Sequence, residues 1–505
     1  MEPPPKRVKM ATPTDDQLLA AVLQAKEANP DLGVARIRVQ LKDRNGWELS
    51  EKRVKKALAD LAAVAPAGGT SEPKSEEVGA AVAATETGSW LAERPSPRGY
   101  FSFTVAQPTG AAAGVVLFGG EYYDNAKNLF YNQLYRLDVP SRGWSRFTSI
   151  NAPPARSAHQ ACVCCGHYWV FGGEFTSPTG NKFKLMDDLW KMPLSENGSM
   201  DGGKWQRVGA GGGGADVPGP RSGHRMVAVG DKLILYGGMG ESKYYSDLHV
   251  WDISKGAWIS KMVKMQQMKL GKDAKTPGPR GGFSMWPDGD SALYIWGGTR
   301  DKGRNDSEYL DDLWRLQITT WEWERVMPSA GAGPGVRSGP SVAVVGAEKR
   351  RVVFLGGVMD VENPATGPKG KPAQVFLSDM HVYDMDARAW STPIGAGAVA
   401  AAAASAPDAA AAGGKAKCAG PRRNAQAVYV PSTSTLILMG GLRDEKTQGG
   451  SKEKEVTLDD VWEAKVDCGQ DGRVEVGEWK CWQGPAGSDW HDSSDEGDED
   501  EGDAE

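Results

Sequence analysis

Six arginines, Arg98, Arg156, Arg221, Arg280, Arg337 and Arg422, recur along the chain, each 16 to 21 residues ahead of a Gly-Gly pair. A guanidinium is permanently charged and presents its donors as a planar fork, so six of them converging on one place would form an anion-binding ring. The same pattern has a structural reading. Just past each Gly-Gly pair stands an acid, Glu121, Glu174, Glu241, Asp301, Asp360 or Asp444, and arginines meeting these acids between neighbouring repeats would be held as ion pairs. Other reactive side chains are scattered. The six histidines are His159, His167, His224, His249, His381 and His491; His159 and His224 occupy equivalent repeat positions, which points to structural use. The glycines Gly211 to Gly214 lack the following Lys-Ser or Lys-Thr of a phosphate-cradling loop. Cys162, Cys164 and Cys165 crowd one short segment while Cys418, Cys468 and Cys481 are isolated, which gives no disulfide framework or zinc spacing. No metal, cofactor or catalytic residue is expected, and an enzyme is not expected.

The elements that would position the arginines are repeated. The Gly-Gly pairs fall at Gly119/Gly120, Gly172/Gly173, Gly237/Gly238, Gly297/Gly298, Gly356/Gly357 and Gly440/Gly441. Each ends a short apolar, β-prone run. Downstream, a Leu-aromatic or similar step follows at Leu134-Tyr135, Leu189-Trp190, Leu248-His249, Leu313-Trp314, Met380-His381 and Val461-Trp462. Nine residues after that aromatic or histidine, Trp144, Trp258, Trp323 and Trp390 recur in four repeats, while Trp205 comes later, after a Gly-rich stretch. Paired glycines let the backbone turn where a β-carbon would collide with a neighbour, and a fixed tryptophan fills the gap between adjacent sheets. Six four-stranded sheets about one axis would bury both faces of each sheet and leave only short edges. A monomer is expected. The last repeat is open to several closures, through Trp479, Trp482 or Trp90.

The order arginine, Gly-Gly, Asp-Leu-aromatic, tryptophan resembles the kelch repeat, most closely in FGGEYYDNAKNLFYNQLY from Phe118, WVFGGEFTSPTG from Trp169 and GPRSGHRMVA from Gly219. The resemblance covers roughly residues 96 to 465. It implies a binding scaffold with no catalytic residues to carry over. Copper radical oxidases share the propeller fold, but their site needs clustered His and Tyr ligands, which this spacing does not offer. The fold class expected is therefore all-β: a six-bladed kelch-type β-propeller with a small α-helical N-terminal module and a disordered linker and acidic tail.

The expected organisation is a disordered basic N-terminus over 1–14, a three-helix, helix-turn-helix-like module over 15–61, a flexible linker over 62–95, the propeller over 96–484 and a disordered acidic tail over 485–505. In the module, Leu18, Leu19, Val22 and Leu23, then Val34, Ile37 and Leu41, then Val54, Leu58 and Leu61 follow a helical period, and Ser50 can cap the third helix. Lys52, Lys55 and Lys56 share its opposite face, which would suit nucleic-acid phosphate contact or serve as a solvated surface; the small net charge favours the second. Lys6, Arg7 and Lys9 sit in a Pro-Lys-Arg-Val-Lys run resembling a nuclear import signal, so nucleus or cytoplasm is the expected compartment. No apolar run of membrane-spanning length occurs. Residues 489 to 505 hold ten acids and no Lys or Arg, and Ser493, with Glu496 three residues on, fits an acid-directed phosphorylation site. The expected partners are proteins, including basic ones such as histones or ribosomal proteins through the tail. A substrate adaptor of a ubiquitin ligase is the alternative, and a nucleic-acid-associated nuclear factor acting through the helical module a lesser one.

Overall fold

The computed structural model describes most of residues 89–483, apart from loop stretches that include 107–113, 124–127, 195–199, 210–215, 270–274, 363–371, 399–418 and 447–452. It also describes Leu18, Val22, Leu41, Ser50 and residues 52–56. The chain divides into two compact units, Met1–Gly79 and Ala80–Glu505.

In the first unit Leu18, Val22, Leu41 and Val54 are buried, as their helical spacing predicts. Residues 52–56 are helical, with Lys52, Lys55 and Lys56 exposed and Val54 inward. The Arg53 amide donates to Ser50 Oγ at 3.4 Å, placing Ser50 at the helix start. Leu19, Leu23, Val34, Ile37, Leu58 and Leu61 lie outside the described residues, as do Lys6, Arg7, Lys9, Ser493 and most of the linker and tail.

The second unit is a six-bladed propeller of antiparallel sheets. Blades two to five each have four strands in chain order from the axis outward, as in blade four: Ser284–Asp288, Ala292–Gly303, Asp306–Gln317 and Glu322–Val326. The second strands are the apolar Gly-Gly runs, such as Gly114–Phe118 with every residue buried, because neighbouring blades cover both of its faces.

Blades one and six each carry a fifth strand. Ser89–Ala92 pairs with Gly143–Thr148 on the outside of blade one, Ser89 opposite Thr148 and Ala92 opposite Ser145. The propeller thus begins within the stretch 62–95 expected as linker, and Trp90 belongs to blade one. Blade six closes with its own C-terminal residues. Its long third strand, Glu453–Cys468, pairs with Val474–Val476 and then with Lys480–Gln483, which sets Trp482 on the outer strand and buries Trp479.

A hydrogen-bonded ring ties the blades together. The second glycine of each pair donates its N–H to the arginine carbonyl of the next blade: Gly120 to Arg156, Gly173 to Arg221, Gly238 to Arg280, Gly298 to Arg337 and Gly357 to Arg422, at 2.9–3.0 Å. Gly441 to Arg98, at 3.4 Å, joins blade six to blade one. The glycines are required by this approach. Gly119 and Gly120 have φ of +67° and +96°, and a β-carbon on Gly119 would stand 2.7 Å from both the Arg156 carbonyl and the His159 ring.

Trp144, Trp258, Trp323 and Trp390 all lie on fourth strands at one register, opposite Leu137, Trp251, Leu316 and Tyr383. Trp323 and Trp390 are buried, whereas Trp144 and Trp258 are half-buried. Several reach the preceding blade's residue just before its Gly-Gly pair: Trp258 meets Phe171, Trp323 meets Tyr236, and Trp390 meets Trp296. Trp205, despite its different spacing, meets Phe118 in the same way. One element is not legible in the repeat pattern: the helix Ser260–Lys269, which follows the very short outer strand Ala257–Trp258 of blade three.

Candidate functional site: the arginine ring and the mouth beyond it

The six arginines are buried, at 0–3 % exposure. Each points its Nη1 at the carbonyl of the first glycine of its own blade, Gly119, Gly172, Gly237, Gly297, Gly356 or Gly440, at 2.9–3.1 Å. Five are also gripped by an aspartate through two parallel bonds: Arg156–Asp188, Arg221–Asp247, Arg280–Asp312, Arg337–Asp379 and Arg422–Asp460. The acids past the Gly-Gly pairs are therefore not the partners, and the pairing runs within a blade and not between blades. The reason is register. The first glycine's amide bonds the carbonyl of the residue preceding the third strand, as Gly172 does to Asp188 and Gly237 to Asp247, and this brings that side chain beside the guanidinium.

The same aspartate holds the aromatic step. Trp190, Trp314 and Trp462 donate Nε1–H to Asp188, Asp312 and Asp460 at 2.6–2.7 Å, and the His249 and His381 Nε2 atoms lie 2.9 Å from Asp247 and Asp379. This explains why tryptophan or histidine, each a ring N–H donor, recurs two residues after the aspartate. Burial alone would raise the pKa of Asp188, Asp247, Asp312 and Asp379, yet the arginine and ring N–H bonds outweigh it and hold all four carboxyls below the usual range. Every Nη1 of the ring is engaged inside the fold, which makes the ring a structural lock.

Blade one breaks the rule. Gln133 stands where the other blades have aspartate, 3.2 Å from Arg98 Nη2, and the guanidinium is covered by the Tyr131 ring at 4.2 Å and the Tyr135 ring at 5.1 Å. Burial lowers the Arg98 pKa, consistent with a cation that no carboxylate bonds directly among the described residues. Gln133→Asp, which restores the repeat, is expected to stabilise the protein by about 1–3 kcal/mol. A lower denaturation midpoint for this variant would mean that the two tyrosines already satisfy Arg98.

A Ser–His contact that the sequence did not suggest lies between blades one and two. Ser102 Oγ is 2.9 Å from His159 Nε2 and 2.8 Å from the Tyr168 hydroxyl, and all three residues are buried. Burial drops the His159 pKa to about 3, so the imidazole is neutral in ordinary buffers. Buried between two blades, this network packs the fold. Among the described residues no group of His, Cys, Asp or Glu could hold a metal ion, and no helix is long and apolar enough to cross a membrane.

The displaced acids lead to a different place. Glu121 and Glu174 sit half-buried at the Gly-Gly end of the axis, and Ser157 Oγ donates to Glu121 at 2.7 Å. Glu241, Asp301 and Asp444 are exposed, and Asp360 accepts from the Tyr309 hydroxyl at 3.2 Å. Two residues past each arginine, Tyr100, Ala158, Gly223, Gly282, Gly339 and Asn424 all have φ between +51° and +63°. They form a chain of amide bonds from one blade to the next, Ala158 to Tyr100, Gly223 to Ala158, Gly282 to Gly223, Gly339 to Gly282 and Asn424 to Gly339. Beyond this collar the hairpins joining second and third strands expose Tyr123, Leu129, Phe183, Met239 and Val375. At the seam of blades one and six lies a cavity of about 330 Å³, lined by Tyr100, Glu121, Tyr123, Asn128, Leu442, Glu455 and Thr457.

The chain is 28% identical over 198 residues to host cell factor 1 of Homo sapiens and of Rattus norvegicus, which is 38% of this chain but only 9% of those proteins. It is 29% identical over 171 residues to host cell factor homolog hcf-1 of Caenorhabditis elegans, 33% of this chain and 19% of that one. It spans only a small part of the length of these curated relatives. The solved structure of YjhT aligns with 76% of this chain and 99% of its own at 16% identity and a TM-score of 0.46. The family description of the KLHDC2/KLHL20/DRC7 Kelch-repeats domain matches residues 102–271 and 258–420. With well over half of its 505 residues so matched, the chain belongs to the kelch-repeat family.

Proposed function

We propose that the protein is a non-enzymatic interaction scaffold whose propeller docks protein partners on its Gly-Gly face. The supporting observation is the crown of apolar side chains there. Phe183 is 55% exposed, and Tyr123, Leu129, Met239 and Val375 are also exposed, all on hairpins carried by a rigid ring. Exposed aromatic and methionine side chains set among polar neighbours are the composition of a protein-binding patch. The test is affinity purification of the intact chain beside Tyr123→Ser combined with Phe183→Ser. Partners are expected to be lost from the variant, and an unchanged partner set would remove the crown as the docking face.

Finer readings belong to the same proposal. The stretches quoted above also resemble Kelch domain-containing protein 4, whereas the relatives found by comparison are host cell factors. A chain lacking residues 489–505 tests whether basic proteins are held by the acidic tail. A ubiquitin-ligase substrate adaptor would need a ligase-docking module in addition to the propeller; residues 1–95 carry no recognisable one, so this reading would require the unit Met1–Gly79 to dock the ligase directly. Ligase subunits should then co-purify with the intact chain and not with one beginning at residue 80. Nuclear import through Lys6, Arg7 and Lys9, and phosphorylation at Ser493, remain parts of the proposal that rest on sequence.

A further inference from the structure

The cavity at the seam of blades one and six brings carboxylates and phenol rings together. Two carboxylates, Glu121 and Glu455, line it beside two phenol rings, Tyr100 and Tyr123. Glu174 acts on Glu121 electrostatically from blade two. Arg423 stands among them and is already ion-paired with Glu455. Among the described residues the hydrogen-bond partner of the Glu121 carboxylate is the Ser157 hydroxyl. Burial, with the neighbouring carboxylates of Glu174 and Glu455 adding to it against the Ser157 bond and the Arg423 charge, pushes Glu121 up to about 7. A buried carboxylate is costly to ionise unless a cation joins it, and the Arg423 charge that acts on Glu121 is shared with Glu455.

The tyrosine gives an independent indication. Tyr100 is closely surrounded yet lines the cavity, and its hydroxyl has no hydrogen-bond partner among the described residues. Burial, opposed by the Arg423 charge, pushes its pKa up to about 12, so it stays a neutral donor and acceptor in the cavity lining. Phenol rings beside carboxylates are the surroundings that a guanidinium or ammonium group prefers, through charge-assisted bonds to the acids and attraction to the ring faces.

We propose that this cavity takes a cationic side chain, arginine or lysine, from an extended segment of a protein partner, with Glu121 and Glu455 as its counter-charges and Tyr100 as a hydrogen-bond partner. The assignment rests on the scaffold reading and names the chemistry of the ligand. The groups facing Glu121 are Ser157 and Glu174 from blade two, Arg423 and Glu455 from blade six, and Tyr100 beside it. A bound cation favours the ionised Glu121, so binding should tighten as pH rises through about 7 and slacken below it.

The test is fluorescence anisotropy with the full chain and a labelled, capped Gly-Ser peptide bearing one central arginine, beside its lysine and aspartate counterparts. The arginine or lysine peptide is expected to bind and the aspartate peptide not. Glu121→Gln should weaken binding about tenfold and flatten the pH dependence. Glu455→Gln, which also releases Arg423 as a competing charge, should weaken it at least as much, and Tyr100→Phe less. The acidic tail is unchanged in all of these, so equal binding by parent and Glu121→Gln would assign the attraction to the tail and overturn the proposal. Equal binding of the aspartate peptide, or no binding of either basic one, would also overturn it. If these fail while the crown variant still loses its partners, the scaffold reading stands and only the cationic ligand falls.

Discussion

Asp460→Ala is expected to destabilise the protein by about 3–5 kcal/mol, because it removes one half of a buried ion pair and leaves the other half without compensation. Arg422 and Asp460 side chains are each 1% exposed and joined by two bonds of 2.8 Å. The same carboxylate accepts the Trp462 ring N–H at 2.6 Å, so its loss orphans an indole as well as a guanidinium. Asp247→Ala offers the internal comparison. It breaks the equivalent pair with Arg221, but the Asp247 side chain is 41% exposed and water can replace part of what is lost. Its cost should be clearly smaller. Urea unfolding of the two variants against the parent measures both, and equal costs would show that burial does not set the strength of the lock. Acid should act on the same lock. Carboxyls held below their usual pKa contribute stability that is fully present above the unfolded value of about 4, and this is lost as pH falls through the depressed folded values.

The parts of this architecture legible in the sequence are those written locally and repeated. Gly-Gly pairs report a backbone that must bend where the next blade's arginine carbonyl and ring press on it, a demand met within a few residues. Trp144, Trp258, Trp323 and Trp390 keep one spacing because each turns back across a short hairpin from the third strand. The aspartate partners are less legible, although they belong to the Asp-Leu-aromatic step. Arg156 and Asp188 are 32 residues apart and Arg337 and Asp379 are 42 apart, and only strand register brings them together. The acids past the glycines are nearer in sequence, yet they lie toward the mouth instead. The seam cavity was hidden for a related reason. Tyr100 and Glu455 come from opposite ends of the propeller, and no spacing within a single repeat contains them both.

Trp390→Ala tests the packing between blades as Asp460→Ala tests the lock within one. Trp390 is 5% exposed and meets Tyr383 at 4.9 Å and Phe354 at 5.0 Å between ring centroids, with Trp296 of blade four at 5.9 Å. The connection from blade four lies against it so closely that a β-carbon on Gly331 would collide with the Trp390 carbonyl, so the surroundings have little freedom to collapse into the space left by the indole. Truncation is expected to cost about 3–5 kcal/mol, which includes aromatic pair terms of about 0.5–1.5 kcal/mol each. Trp258→Ala should cost less. Its ring is half-buried, it faces Phe171, Trp251 and His249 at 5.5–6.2 Å, and its outer strand is only two residues long. Thermal unfolding of both variants distinguishes packing from repeat position. If the two tryptophans, equivalent in register, prove equal in cost, the position in the repeat and not the burial at each seam would govern how the blades hold together.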